Sequence, residues 1–190
     1  MKKGKSNNRF KTILVISIIL ITIFLISCIL RNLIYKFLYP TKYSEYVYKY
    51  SEEFSVDPDL IFAIIKAESN FEADAKSSQN AIGLMQILNS TAEEVANKLR
   101  MNYNEEETLL NPKDNIRMGV KYFSELYDLY GNIELAICAY NAGIGNVNSW
   151  IDKGLIRDDG SDIENVPISE TNIYVRKVLK NYRIYKELYK

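Results

Sequence analysis

Between Ile13 and Leu30 the chain runs for eighteen residues without a charge, interrupted only by Ser17, Thr22, Ser27 and Cys28. As a helix this run measures ~27 Å, close to the hydrocarbon thickness of a bilayer. Five cations, Lys2, Lys3, Lys5, Arg9 and Lys11, precede it, and the first acidic residue is Glu45. Positive charge held on the cytoplasmic side predicts a basic cytoplasmic segment over 1–11 and a transmembrane and interfacial segment over 12–38. The remainder, 41–190, is then a single domain outside the membrane.

Two processed forms compete with this single-pass anchor. A cleavable signal peptide needs a small-residue site, and no A-x-A pattern follows the run. A lipoprotein signal needs a lipidation box ending in cysteine, and Leu25-Ile26-Ser27-Cys28 has that form. Against it, Ile29-Leu30 and Leu33-Ile34-Tyr35 continue the apolar character, and Tyr35, Phe37 and Tyr39 suit headgroup depth. The uncleaved anchor is the expectation, with lipid on Cys28 as the alternative.

Removing the N-terminal cations changes the charge picture. Seven of the 24 basic residues precede Pro40, which leaves 17 against 24 acidic ones, a net charge of −7. That is the wrong sign for a nucleic-acid binder. The chain has no histidine, so Ser-His-Asp and Cys-His mechanisms and His-containing metal sites are excluded. No cofactor or metal site is expected. Cys138, in Ala136-Ile137-Cys138-Ala139, reads as a small core residue, and no disulfide is expected.

From Thr41 onward the apolar spacing is helical throughout, and the expected fold class is all-α. Tyr43, Val47, Tyr50 and Phe54 mark one helical face. Asp57-Pro58 supplies an N-cap and a proline at the first helical position. The small polar stretch from Asp74 to Gly83 reads as a loop. Ser90-Thr91-Ala92-Glu93 has capping-box form and opens a helix to about Arg100. Asn102 to Pro112 reads as a surface excursion. Asp114 caps a long helix carrying Ile116, Val120, Phe123, Tyr127 and Tyr130, which ends at Gly131. Shorter helices follow over Ile133–Tyr140 and Val147–Ile151, and Thr171–Leu188 closes the chain with Val175, Val178, Leu179, Tyr182 and Tyr185 on one stripe.

One residue breaks this pattern. Leu60, Ile64 and Glu68 are spaced by four, so a helix places Glu68 on its own apolar stripe. A carboxylate there is either paired with a cation or kept protonated by burial, and the negative end of the helix dipole pushes the same way. A carboxyl that keeps its proton near neutral pH is a general acid. Spacing alone leaves open the other possibility, that Glu68 faces solvent just as the helix ends.

The surrounding residues resemble a known family. Ile64 to Ala92, reading I-I-K-A-E-S-N-F-E-A-D-A-K-S-S-Q-N-A-I-G-L-M-Q-I-L-N-S-T-A, is similar to the catalytic core of the soluble lytic transglycosylases, whose fold is related to goose-type lysozyme. Further matches follow in order: Asn111-Pro112 through Asn115-Ile116-Arg117-Met118-Gly119, then Ala139-Tyr140-Asn141-Ala142-Gly143, then Glu170-Thr171 with Tyr174-Val175. The resemblance covers nearly all of the chain after Tyr43. It implies a lysozyme-like helical domain that cleaves the β-1,4 bond between N-acetylmuramic acid and N-acetylglucosamine in the glycan strands of peptidoglycan.

In that family the glutamate of the E-S pair, here Glu68, protonates the glycosidic oxygen. The muramyl 6-hydroxyl then attacks the anomeric carbon and returns its proton to the same carboxylate, leaving a 1,6-anhydro end without consuming water. One carboxylate therefore suffices where most glycosidases need two. The resemblance further implies substrate-binding roles for Ser69, Gly83, Met85, Gln86, Tyr140, Asn141 and Tyr174. Ser69 would bond the acid or the sugar, unless it serves as a local backbone partner. Gly83 would admit a ligand close to the backbone, with Met85 and Gln86 as an apolar wall and an amide, although Met85 equally suits the core. Tyr140 would set its hydroxyl against Glu68 and orient it. Tyr174 would line the sugar cleft with Glu170 nearby, orienting or capping the last helix.

The sequence departs from the family pattern at Asn89 and Ile144, where proline is usual, which bears on loop stiffness. Two rivals use the same residues: a hydrolytic muramidase on the same fold, and a non-catalytic peptidoglycan-binding module. No protein partner in the wall or in a secretion machinery is identified by the sequence.

Overall fold

Gly4–Leu38 forms one uninterrupted helix of 35 residues, α1, in the computed structural model, which describes residues 4–190 with side chains from Phe10 onward. Lys2 and Lys3 lie outside the described residues. The helix takes in the described part of the basic segment and continues past Arg31 to Leu38. Its most apolar window has a mean hydropathy of 3.2, and none of that window is buried within the protein. Its apolar side chains, such as Ile18 and Phe24, are exposed, and by length and composition the helix could cross a bilayer. The rings of Tyr35 and Tyr39 stack at 6.1 Å near its end.

Residues 1–40 and 41–190 are separate compact units. In the second, eight α-helices and one short 3-10 turn follow in order: α2 (Ser44–Glu53), α3 (Pro58–Glu68), α4 (Asn89–Leu99), α5 (Glu105–Leu110), α6 (Pro112–Tyr130), α7 (Ile133–Ala142), α8 (Ile144–Asp152), the turn Ile163–Asn165, and α9 (Ser169–Leu188). No strand forms among the described residues; two isolated bridges, Lys76 to Ile82 and Ile82 to Ile87, are the only β pairing there. The fold is all-α, as its patterning predicts.

The core is built around α3. Leu60 through Ile65 are all at most 2% exposed, so this helix is apolar around its whole circumference rather than along one stripe. Its main neighbour is α9, with α2 beside it, while α6 packs against α2, α4, α5 and α7. Phe62 centres an aromatic cluster, stacked on Tyr185 at 5.6 Å and edge-on to Tyr48 at 5.8 Å. Asp57 caps α3 as expected, accepting from the Asp59 N–H at 2.9 Å. Its other oxygen accepts from Tyr182 Oη at 2.7 Å and Lys186 Nζ at 2.8 Å, tying the start of α3 to the end of α9. Burial opposes ionisation of Asp57, but these bonds outweigh it and hold the carboxyl below its usual range.

Several local expectations change. The α4 helix starts at Asn89, and its N-cap position, Leu88, makes no side-chain cap bond, so the capping box at Ser90 does not form. The long helix α6 is capped by Asn111, which accepts from Lys113 and Asp114, with Pro112 at its first position. Asp114 lies within the first turn, where its charge meets the positive end of the dipole. The excursion from Asn102 to Pro112 contains α5, whose Leu109 is fully buried. The buried face of α6 runs through Leu126, while Tyr127 is 38% exposed. Tyr43 is a left-handed residue ahead of α2 rather than part of its face.

Candidate active site

Glu68 is the last residue of α3. The chain reverses immediately afterwards through two non-glycine left-handed residues, Asn70 at φ 51° and Phe71 at φ 67°. For a bulky residue such as Phe71 this conformation is costly and must be held by its surroundings; its ring is 2% exposed and lies 6.4 Å from that of Phe62. The reversal leaves Glu68 facing the segment 72–88 instead of continuing helix.

That segment is folded by backbone bonds between close neighbours. The Gly83 N–H donates to the Ala75 carbonyl at 2.8 Å, and Ile82 and Ile87 exchange two bonds of 3.1 Å each. Asn115, fully buried on α6, locks this turn from beneath. Its Oδ1 accepts from the Met85 N–H at 2.8 Å, while its Nδ2 donates to the carbonyls of Ile82 at 3.0 Å and Leu109 at 2.9 Å. Gly83 sits on this amide at φ +80°, and a Cβ there would lie 2.2 Å from Asn115 Nδ2 and 2.3 Å from the Leu109 carbonyl oxygen. Gly119, one turn along α6, leaves room for Met85 in the same way: a Cβ would lie 2.4 Å from the Met85 sulfur.

A cavity of about 480 Å³ opens between this segment, α4, α6, α7 and the start of α9. Glu68, Gln86, Tyr140, Asn141 and Glu170 line it, so five of the residues singled out by sequence converge on one space. The others stand behind its wall. Ser69 Oγ donates to the Leu84 carbonyl at 2.8 Å and is buried, which makes it a backbone tie and not a partner of the acid. The missing Cβ of Gly83 accommodates Asn115 rather than a ligand, and Met85 is fully buried core. Gln86 commits its amide N–H groups to the carbonyls of Ala75 at 3.1 Å and Gly83 at 2.9 Å.

The two tyrosines exchange the roles expected of them. Tyr174 Oη donates to Glu68 Oε1 at 2.6 Å, and it is the hydroxyl that orients the acid. Tyr140 Oη donates to the Met85 carbonyl at 2.7 Å, bracing the turn. Both phenols are pushed well above their usual range, first by burial and then by the nearby Glu68 charge, so both remain donors at physiological pH. Residues the sequence reading passed over also line the cavity: Ser77, Ser78, Gln79, Thr91 and Tyr122. The polar run Ser77-Ser78-Gln79 signalled a loop, but nothing local tied it to Glu68.

Burial raises the Glu68 carboxyl to about 7, against opposing influences from the Tyr174 hydrogen bond and the Lys177 charge. A carboxyl on a cavity wall that is half-protonated near neutrality, held by one hydroxyl, can donate a proton and take it back. The fold and site thus define an all-α cleft with a buried carboxyl, raised toward neutrality, on its wall.

Comparison with known proteins agrees with this class. Residues 45–160 match the family model described as the transglycosylase SLT domain, and the chain belongs to that family. It is 35% identical over 144 residues to a protein named putative soluble lytic murein transglycosylase from Haemophilus influenzae, covering 74% of this chain and 24% of that one. It is 35% identical over 116 residues to membrane-bound lytic murein transglycosylase C from Serratia proteamaculans, covering 56% of this chain and 32% of the relative. Among solved structures, an inactive mutant of the lytic transglycosylase Slt from Pseudomonas aeruginosa superposes with a TM-score of 0.73 at 34% identity, over 80% of this chain and 25% of that one. The chain thus spans about a quarter to a third of the length of these relatives.

Two outcomes follow from this geometry. Asn115→Ala leaves the buried Met85 N–H and the Leu109 carbonyl without the amide, while the Ile82 carbonyl keeps the Ile87 N–H, and is expected to cost about 3 kcal/mol in urea unfolding of the full chain in detergent. The Glu68 carboxyl, raised from 4.5 to about 7 in the folded state, contributes stability that is complete below the lower value and lost as pH rises through the upper one. Glu68→Gln, a neutral isostere, is therefore expected to be more stable than wild type at about pH 8, by on the order of 3 kcal/mol, with the difference vanishing toward about pH 4.

Proposed function

We propose that this chain is a membrane-anchored peptidoglycan lytic transglycosylase in which Glu68 acts first as acid and then as base. The observation that carries this reading is the Glu68 carboxyl, raised to about 7 by burial and bonded by Tyr174 on the wall of a cavity that a sugar can enter. With the glycan in the cavity, Glu68 gives its proton to the oxygen between N-acetylmuramic acid and N-acetylglucosamine as that bond breaks. The muramyl 6-hydroxyl closes on the anomeric carbon, and its proton goes to the Glu68 carboxylate, which restores the acid. Tyr174 holds the carboxyl in one orientation through both transfers, because its own proton is not released.

A second reading has one observation in its favour. Glu170, in the first turn of α9, lines the same cavity and is a second carboxylate there, as hydrolysis by an activated water requires. Mass spectrometry of the muropeptides released from purified peptidoglycan separates the two: the proposal expects 1,6-anhydro ends, and reducing ends would overturn it in favour of a muramidase. Glu68→Gln is expected to lower turnover at least about 100-fold; undiminished digestion would remove Glu68 from the mechanism.

The length and apolarity of α1 support a membrane-spanning anchor with the basic segment on the cytoplasmic side and the catalytic domain, 41–190, outside it. Intact mass of the membrane-extracted protein is expected to show the whole chain. A species starting at lipid-modified Cys28 would show a lipoprotein instead.

A further inference from the structure

One turn of α9 touches the end of α3 twice. Tyr174 reaches the Glu68 carboxyl, and three residues further on Lys177 Nζ donates to the carbonyl of Ala67, the residue immediately before Glu68, at 2.6 Å. That carbonyl belongs to the last turn of α3, where unpaired C=O groups leave the helix with partial negative charge. The catalytic carboxyl is therefore attached at the point where a second negative charge is least welcome. Such a site favours the protonated acid, but the proposed reaction also needs the carboxylate, since the proton must leave Glu68 and return within one turnover.

We propose that Lys177 is a positioning residue for the reaction at Glu68: its ammonium, held on the Ala67 carbonyl, offsets the negative end of α3 and stabilises the ionised carboxylate between the two proton transfers. This rests on the acid-then-base reading of Glu68. The other groups facing Glu68 do not supply the same charge. Tyr174 from α9 and Tyr140 from α7 are neutral donors, Tyr122 from α6 is a neutral phenol on the cavity wall, and the cavity-lining side chains of segment 72–88 are uncharged. Glu170 from α9 is of the wrong sign. The other lysine near the end of α3, Lys66, donates to Asn70 Oδ1. Of the two ammonium groups, Lys177 is the one whose charge acts on the Glu68 carboxyl. Lys177 is an exposed residue, so its field reaches solvent and is partly screened, and a moderate effect is expected.

The test compares Lys177→Met, Lys177→Gln and Lys177→Arg in the full chain in detergent. The Glu68 carboxyl titration is followed by carbon NMR with labelled glutamate, its resonance being the one missing in Glu68→Gln. Digestion of purified peptidoglycan is followed across the same pH range. Both neutral variants are expected to move the Glu68 midpoint up by about half a pH unit to one unit, and to lower kcat about three- to tenfold at neutral pH with KM within about twofold. Lys177→Arg is expected to restore both, and added salt to shrink the difference between wild type and the neutral variants. A midpoint that stays put in both neutral variants, or that arginine fails to restore while the fold is intact by near-ultraviolet circular dichroism, overturns the proposal. Because the titration is read without substrate, a wild-type chain that released no muropeptide would overturn the enzymatic reading and leave the carboxyl–ammonium coupling to be judged on the NMR alone.

Discussion

The buried amide of Asn115 is the constraint on which the candidate site depends. One side chain with one acceptor and two donor hydrogens meets three backbone groups, the N–H of Met85 and the carbonyls of Ile82 and Leu109, with good geometry at each. Met85 and Ile82 belong to an irregular turn and Leu109 to the end of α5, so the amide ties the two together. The Ile82 carbonyl also accepts from the Ile87 N–H, while the buried Met85 N–H depends on Asn115. Through that single residue α6 sets the height and tilt of the cavity floor. The absence of a Cβ at Gly83 and at Gly119 is then a packing requirement: the first makes room for the amide and the second for Met85, on which the turn rests.

With the floor fixed, the acid is placed by a second pair of elements. The α3 helix is buried around its circumference and cannot rotate or slide without exposing apolar surface, so its last residue is held in position as firmly as its core. The α9 helix lies along it and is bound to it at both ends, by Tyr182 and Lys186 at Asp57 and by Tyr174 and Lys177 at Glu68 and Ala67. A hydroxyl and an ammonium from one turn thus act on a carboxyl from another helix, with burial as the larger influence. The balance places that carboxyl near neutrality, where proton donation and recovery are both accessible.

The exchange of roles between Tyr140 and Tyr174 follows from the same arrangement. Tyr140 lies in the last turn of α7, just before the chain breaks at Gly143, close enough to Glu68 to sense its charge, but its hydroxyl donates to the Met85 carbonyl on the turn. Tyr174 comes from the helix that packs directly on α3, so its hydroxyl reaches the carboxyl. Both tyrosines are therefore part of the site's support, Tyr140 bracing the turn from the cavity wall and Tyr174 holding the acid.

Much of this architecture was legible in the residues alone, because hydrophobic periodicity, the Asp57-Pro58 cap and the Gly131 stop are local signals that helices obey wherever they fold. The long apolar run, the all-α class and the anomalous position of Glu68 on an apolar stripe came from spacing of this kind. The resemblance added which motifs belong together, and five of the residues it singled out do converge on the cavity. Local signals failed where two candidates competed, as with Asn111 over Asp114 at the start of α6, or the unused capping box at Ser90. They also had nothing to say about partners far apart in the chain. That Ser69 turns to the Leu84 carbonyl, that Asn115 carries the turn, and that Lys177 meets the end of α3 are pairings across 15, 30 and 110 residues. Hydrogen bonds of that span are chosen by which helices pack together, and packing, unlike periodicity, is a property of the whole chain.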